Sequence, residues 1–381
     1  MIMKILFINL PFSGHVYPTL GLVEKLVNRG NSVTYLLTEE WKDKVLEVGA
    51  DFLYYEDNEK LSIQIKNVYQ ASIKVAHEFD LIIYEHFFFL GKHIAERFNK
   101  PVIRIITAPA TNKVLMKEFI NSGGVLSVFR FEWVCRRWTK KVSKGIKLKT
   151  DSWLKEITEN PPELNLVYTV KKFQPYAEDF SENKFKFLGT SIYQRNKKNE
   201  FILPKSKNNL VYISLGTIVN KAMSFYKKCI NAFKDENVTV IISVGNSINI
   251  SDLGKIPKNF YIFPFVPQLE ILEKASVFIT HGGLNSVMES LYFGVPMVVI
   301  PFISDQPTNA QQIERLNLGK KISHKHITSD ILKNSTLAVL NDSTIAQSIL
   351  LMQKEIRNAG GNEFGADLII QYMDNKMLKE R

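Results

Sequence analysis

The sequence predicts an α/β protein made of two doubly wound domains, each a parallel sheet wrapped by helices. Three observations carry that expectation. The chain has 381 residues, and at roughly 100–200 residues per domain this length calls for two cores. Short β-branched or apolar runs alternate with longer helical patterns, the mark of parallel sheets, and the alternation occurs twice. Between the two series lies SIYQRNKKNEFILPKSKNN, residues 191–209, polar and charged with a single proline, which reads as a linker.

In the first half the expected strands are Lys4–Leu10, Ser32–Leu37, Ala50–Tyr54, Asp80–Tyr84 and Pro101–Thr107, with helices starting near Pro18, Glu39, Glu59 and Phe88. Pro18 suits a first helical turn, where its missing N–H costs nothing. In the second half the expected strands are Asn209–Ser214, Val238–Val244, Tyr261–Phe263, Ser276–Thr280, Pro296–Ile300 and Lys320–Ser323. Helices are expected over Asn220–Lys234, Gln268–Lys274, Leu284–Phe293 and Gln306–Leu316, with more from His326 onward. The domains are therefore drawn at 1–200 and 201–360, followed by a terminal segment, 361–381.

Composition narrows the classes. Apolar residues make up 45% and charged residues 23%, a balance that folds rather than staying disordered. Cys135 and Cys229 are the two cysteines; without a C-x-x-C pair they support neither a disulfide scaffold nor a cysteine zinc site, and they suit a reducing cytoplasm. The amino terminus shows no signal-peptide cleavage pattern, and no run of 18 apolar residues suggests a membrane span.

The net charge of +11 is concentrated rather than spread. Between residues 112 and 150, ten Lys/Arg face two acids, so this stretch carries +8 of the total. That argues against a nucleic-acid groove. Phe129, Phe131, Trp133 and Trp138 interleave with the cations. Two readings stay open: a solvated basic helix with its aromatics turned inward, or a helix that meets an anionic membrane surface or flanks an acceptor pocket.

Doubly wound domains bind ligands at the carboxyl ends of the strands, where strand order reverses. With order 3-2-1-4-5 in the second domain, SLGT (Ser214–Thr217) and THGG (Thr280–Gly283) meet at that point. Gly216, Gly282 and Gly283 would let backbone amides approach a ligand, and the helix opening at Leu284 would aim its positive end there. A pyrophosphate fits that chemistry. Ser214, Thr217, Asn285 and Ser286 add short donors, and His281 could donate to a phosphate oxygen. The Walker A, G-x-G-x-x-G, D-x-D, H-E-x-x-H and G-x-S-x-G patterns are all missing, which disfavours ATPases, ordinary dinucleotide dehydrogenases, bound metal and α/β-hydrolases.

The stretch FVPQLEIL…ASVFITHGGLNSVMESLYFGVPMVVIPFISDQ, Phe265 to Gln306, resembles the donor-binding signature of the family 1 UDP-glycosyltransferases, with bacterial macrolide and flavonoid enzymes nearest in character. MKILFINLPFSGHVYPTLGLVEKL and AGGNEFGADLI resemble other parts of the same family, so the likeness spans nearly the whole chain. It implies the GT-B fold: an acceptor domain facing a donor domain across a cleft, with the last helix crossing back to the first domain. It also implies that Phe265, where the family usually has tryptophan, stacks on uracil, and that the Val266 backbone bonds the base. Glu289 would accept from the ribose, with Gln268 nearby. His281, Gly283, Asn285, Ser286 and Thr217 would hold the diphosphate. Asp305 and Gln306 would grip hexose hydroxyls, glutamine suggesting glucose. Leu284 replaces a tryptophan common in plant members.

Topology supplies the acceptor side. If strands one and four are neighbours about 4.8 Å apart, His15 and Glu85 both fall just past their carboxyl ends and should touch. The carboxylate would fix the imidazole tautomer, and the other nitrogen would take a proton from an acceptor hydroxyl attacking the anomeric carbon, inverting it. The family usually has aspartate at Glu85, and His86 is a competing partner. Phe12, Phe87, Phe88 and the adjoining Phe89 would suit a hydrophobic acceptor. The expectation is an inverting transfer of a hexose from a UDP-sugar to a macrolide, polyketide or phenolic hydroxyl, without metal or other cofactor. A peripheral membrane enzyme acting on a lipid and a non-catalytic nucleotide-sugar binder are the alternatives.

Overall fold

The computed structural model describes residues 2–122, 128–193, 208–216 and 222–379. Most of the expected linker, 194–207, and Thr217 lie outside the described residues. The chain divides into two compact units, one of Met1–Tyr193 with Ala359–Arg381, the other of Gln194–Asn358.

The first unit is built on a seven-stranded parallel sheet: β1 (Lys4–Ile8), β2 (Ser32–Leu37), β3 (Asp51–Tyr54), β4 (Leu81–Glu85), β5 (Val102–Ile106), β6 (Leu164–Val167) and β7 (Phe185–Phe187), in the order β3-β2-β1-β4-β5-β6-β7. Helices cover a parallel sheet on both faces, so its central strands read as continuous apolar runs. Ile5 to Ile8 and Leu81 to Ile83 are wholly buried accordingly. The sequence reading missed β6 and β7. Strand β6 is only LNLV, and its Asn165 sits fully buried. That polar residue is tolerated because Arg104, in the middle of β5, donates to Asn165 Oδ1 at 2.8 Å, while Asn165 Nδ2 donates to the carbonyls of Pro162 and Lys184. Strand β7 is a three-residue edge. The helix expected near Phe88 begins at Gly91 instead.

The last helix, Gly361–Lys379, belongs to this unit. Its Glu363 pairs with Lys25 at 2.5 Å and Arg29 at 2.9 Å, and Asp367 pairs with Arg29 at 2.7 Å, tying it to the helix Ser13–Asn28. Buried Asn362 accepts from Tyr168 Oη and donates to Ser191 Oγ, both at 2.9 Å.

The second unit holds a six-stranded parallel sheet: β8 (Asn209–Ser214), β9 (Val238–Ser243), β10 (Phe260–Phe263), β11 (Val277–Thr280), β12 (Met297–Val299) and β13 (Gly319–Lys321), ordered β10-β9-β8-β11-β12-β13. In both sheets the first strand has the second on one side and the fourth on the other. Each therefore has its switch point between β1 and β4, or between β8 and β11.

Candidate active site

In the first unit, β1 feeds the helix Ser13–Asn28 and places His15 in its first turn, while Glu85 is the last residue of the neighbouring β4. The two side chains meet: His15 Nδ1 lies 2.9 Å from Glu85 Oε1. Thr107, one residue past β5, completes the group. Its hydroxyl donates to Glu85 Oε1 at 2.8 Å and sits 2.7 Å from His15 Nδ1. Glu85 Oε2 accepts from the Phe87 amide at 3.0 Å. The carboxylate is wholly buried and His15 is 20% exposed, so the imidazole is the part of the pair that solvent or a substrate can reach. With Nδ1–H committed to the carboxylate, Nε2 carries the lone pair.

Burial alone would push the Glu85 carboxyl up. The pull of His86 and His15 outweighs it and holds the group well below the usual carboxylate range. His86 Nδ1 comes within 2.5 Å of Glu85 Oε1, out of line for a hydrogen bond. Burial pushes the His86 imidazole down against the attraction of that carboxylate. Among the described residues His15, Glu85 and His86 are the one set whose donor atoms converge enough for a metal ion, within 4.8 Å of one another. Glu85 Oε1 already serves His15 and Thr107, and an ion there would have to displace both contacts.

A buried polar network fixes the backbone under His15. Asn9 Nδ2 donates to the His15 carbonyl at 3.1 Å and to Tyr35 Oη at 2.9 Å; Thr19 Oγ1 lies 2.6 Å from Tyr35 Oη; Tyr55 Oη donates to the Asn9 carbonyl at 3.1 Å. Of the expected acceptor aromatics, Phe12 and Phe87 do flank the imidazole, with ring centroids 5.8 and 4.7 Å away. Phe88 does not: it is wholly buried in the core, as Phe89 nearly is, so both serve packing.

In the second unit, Ser214 pairs with Thr280 in register, and the turns after β8 and β11 come together. His281 lies between two glycines. A Cβ on Gly216 would meet the His281 ring at 2.6 Å, and one on Gly283 would meet it at 2.7 Å. Gly216 also has φ +70°, which a side chain would strain. The glycines thus make the slot that the imidazole fills. Burial pushes His281 down to about 4, so it is neutral at pH 7 and offers an N–H rather than a charge. Gly283 caps the helix Leu284–Phe293 and supplies no side-chain cap to its first-turn amides, the condition under which an anion can use them. Ser214 Oγ accepts weakly from the Gly216 amide at 3.4 Å.

Beside this turn, Gln268 Nε2 donates to Glu289 Oε2 at 2.6 Å and to Ser286 Oγ at 3.3 Å, and Tyr212 Oη donates to Gln268 Oε1. The glutamine thereby aims the nearly buried Glu289. Phe265 is 60% exposed, leaving ring surface for a planar ligand, with Val266 next to it. Asn285 and Ser286 open the helix that Leu284 starts, and Leu284 itself points into the core. Asp305 precedes the helix Gln306–Arg315 and accepts from Asn309 Nδ2 at 2.8 Å. Gln306 is turned inward: its Oε1 accepts from the amides of Phe302 and Ile303 at 2.8 and 3.1 Å, and its side chain is buried. Sequence reasoning missed Asn309, which holds both Asp305 and the Gly282 carbonyl.

A model of the family described as UDP-glucoronosyl and UDP-glucosyl transferase matches residues 193–356, and the NDP-glycosyltransferase YjiC of Bacillus subtilis is 36% identical over 98% of this chain and 98% of its own. The chain belongs to this family. Oleandomycin glycosyltransferase of Streptomyces antibioticus is 28% identical over 93% of this chain and 87% of its own. The solved glycotransferase of kitacinnamycin superposes with a TM-score of 0.86 at 25% identity, covering 97% of this chain and 99% of that one. This glycosyltransferase accordingly has the GT-B class of fold, two Rossmann-like parallel-sheet domains. Among the described residues no helix is long and apolar enough to cross a membrane.

Proposed function

We propose that this glycosyltransferase moves a hexose, glucose by preference, from a UDP-sugar to a hydroxyl of a hydrophobic natural product such as a macrolide, polyketide or phenolic, with inversion at the anomeric carbon. The observation that carries the proposal is the buried Glu85 carboxylate holding Nδ1 of a part-exposed His15. In this reading Nε2 takes the acceptor's proton as the hydroxyl oxygen bonds to the anomeric carbon and the bond from that carbon to the diphosphate breaks. UDP leaves as an anion, stabilised by the His281 N–H and the amides at Leu284–Ser286. Phe265, Val266, Gln268 and Glu289 would hold the uridine and Asp305 the sugar, with the buried Gln306 shaping that turn through the Phe302 and Ile303 amides. Phe12 and Phe87, at the rim of His15, support an apolar acceptor, and the oleandomycin and kitacinnamycin relatives support a natural-product one.

The test replaces His15 with alanine and measures turnover of UDP-glucose with a weakly acidic alcohol and with an acidic phenol. General-base loss lowers kcat on the alcohol by about 10²–10⁴-fold, while an acceptor already ionised at assay pH is affected much less and UDP affinity is unchanged. Full activity of His15→Ala on the alcohol would overturn the assignment.

A further inference from the structure

The basic stretch after β5 contributes none of the residues named above for the donor or the acceptor. Its helix Val128–Val142 is two-faced. Cys135, Thr139 and Val142 are buried, and Trp138 packs near Phe89 and Trp153. The other face is exposed and carries Trp133, Val134, Arg136, Arg137, Lys140 and Lys141. Trp133 stands 57% exposed and Val134 41%. The Arg137 guanidinium lies 5.3 Å from the centre of the Trp133 ring. Lys144 and Lys147 continue the exposed cations past the helix end.

On this face acids reach Arg136. Asp151, shared with Lys155, pairs with it at 3.0 Å, and Glu132 lies 4.0 Å away. Among the described residues no carboxylate pairs with Arg137, Lys140, Lys141, Lys144 or Lys147, each of which has its side chain in solvent. A surface groove of about 490 Å³ runs along the helix, lined among others by Trp133, Arg136, Arg137 and Lys140.

We propose that this face docks on the surface of an anionic phospholipid bilayer, with the helix lying in the interface, Trp133 at headgroup depth and the cations on lipid phosphates. Charge complementarity supplies the attraction, which acts on each cation within a Debye length of such a surface. The exposed tryptophan and valine supply the apolar part that a purely electrostatic contact would lack. A nucleic acid could use the same cations and stack a base on Trp133, but it offers no apolar layer for the exposed aliphatic Val134 beside them, which a bilayer interface does. Docking of this kind would bring the enzyme to acceptors that partition into lipid, whatever their scaffold.

Cosedimentation with vesicles of phosphatidylcholine, alone or mixed with phosphatidylglycerol, tests this. The expected result is binding to the mixed vesicles alone, lost at high salt. Joint replacement Arg137→Glu, Lys140→Glu and Lys141→Glu should weaken partitioning by about 100-fold. It should leave turnover of a water-soluble phenol unchanged, which also reports folding. Trp133→Ala should weaken binding less and abolish a vesicle-induced blue shift of tryptophan emission. The control reverses three exposed lysines of the second unit, Lys227→Glu, Lys234→Glu and Lys258→Glu. Equal loss in that control would show bulk attraction of a basic protein and overturn the proposal. So would absence of vesicle binding by a protein whose same cations retain an oligonucleotide.

Discussion

Each unit places a histidine at its switch point, and the two histidines have opposite surroundings. His15 follows the first strand of its sheet and meets a carboxylate brought by the fourth. His281 follows the fourth strand and meets glycines on both sides, one of them from the first. One imidazole is held by a charge through Nδ1; the other is held by shape, in a slot whose burial keeps it neutral. The same topological position therefore gives an imidazole bound to a carboxylate in one unit and a neutral imidazole between glycines in the other, depending on what stands opposite. A residue type at a fold's hot spot does not define its chemistry; its partner does.

The largest effect expected from breaking this contrast is that of His15→Ala on an alcohol acceptor, about 10²–10⁴-fold in kcat. The mirror experiment on the second unit should move binding and spare the chemistry of the first. His281→Ala should weaken UDP by about 1–3 kcal/mol, read by calorimetry. Gly216→Ala, which drives a methyl into the imidazole and strains a left-handed turn, should do the same with His281 still present. If Gly216→Ala binds UDP normally, the slot is not what positions His281.

Acid stability sharpens the comparison further. The unfolded chain takes up a proton on this histidine near pH 6.5, whereas the folded one resists until about 4. Stability present above pH 6.5 is thus lost as pH falls toward 4, by on the order of 3 kcal/mol from this group. His281→Gln should make the acid-side loss of the second unit shallower, as measured by denaturant unfolding between pH 7 and 4. Glu85→Gln keeps a hydrogen-bonding partner but removes the charge, and should slow kcat by less than the loss of His15. An unchanged rate would leave His15 without its proposed partner. The smallest expected effect is that of excess EDTA, under which turnover should persist if, as proposed, His281 and helix amides receive the leaving group. Complete loss restored by Mg²⁺ would instead favour an ion at the His15, Glu85 and His86 atoms or on the diphosphate.

Much of this was legible in the sequence, for reasons that can be named. Strand order places residues at the ends of neighbouring strands together, so the His15 to Glu85 contact and the meeting of Gly216 with His281 follow from pattern alone. Thr107 was not singled out because it reads as the last residue of its strand. The structure ends β5 at Ile106, and the hydroxyl falls beside Glu85. The signal was present: a small hydroxyl at the carboxyl end of the strand next to the one that ends in Glu85. Strand β6 was hidden by Asn165, whose burial makes sense only once Arg104 is seen across from it. Rotamers were beyond reach as well. Gln306 sits where the family pattern puts it, yet no pattern reports that its carbonyl oxygen caps the Phe302 and Ile303 amides. The charged stretch 112–150 was visible as composition; that Trp138 turns in while Trp133 turns out needed the helix.

The route of the chain bears on how the protein is born. The last helix completes the first unit, yet 165 residues of the second, 194–358, are synthesised before it. On a ribosome the second unit can close its core while the first still waits for Glu363 and Asp367 to reach Arg29. Loss of the helix Gly361–Lys379 would therefore injure the half bearing His15, far upstream in the chain, and leave the half bearing His281 to fold undisturbed.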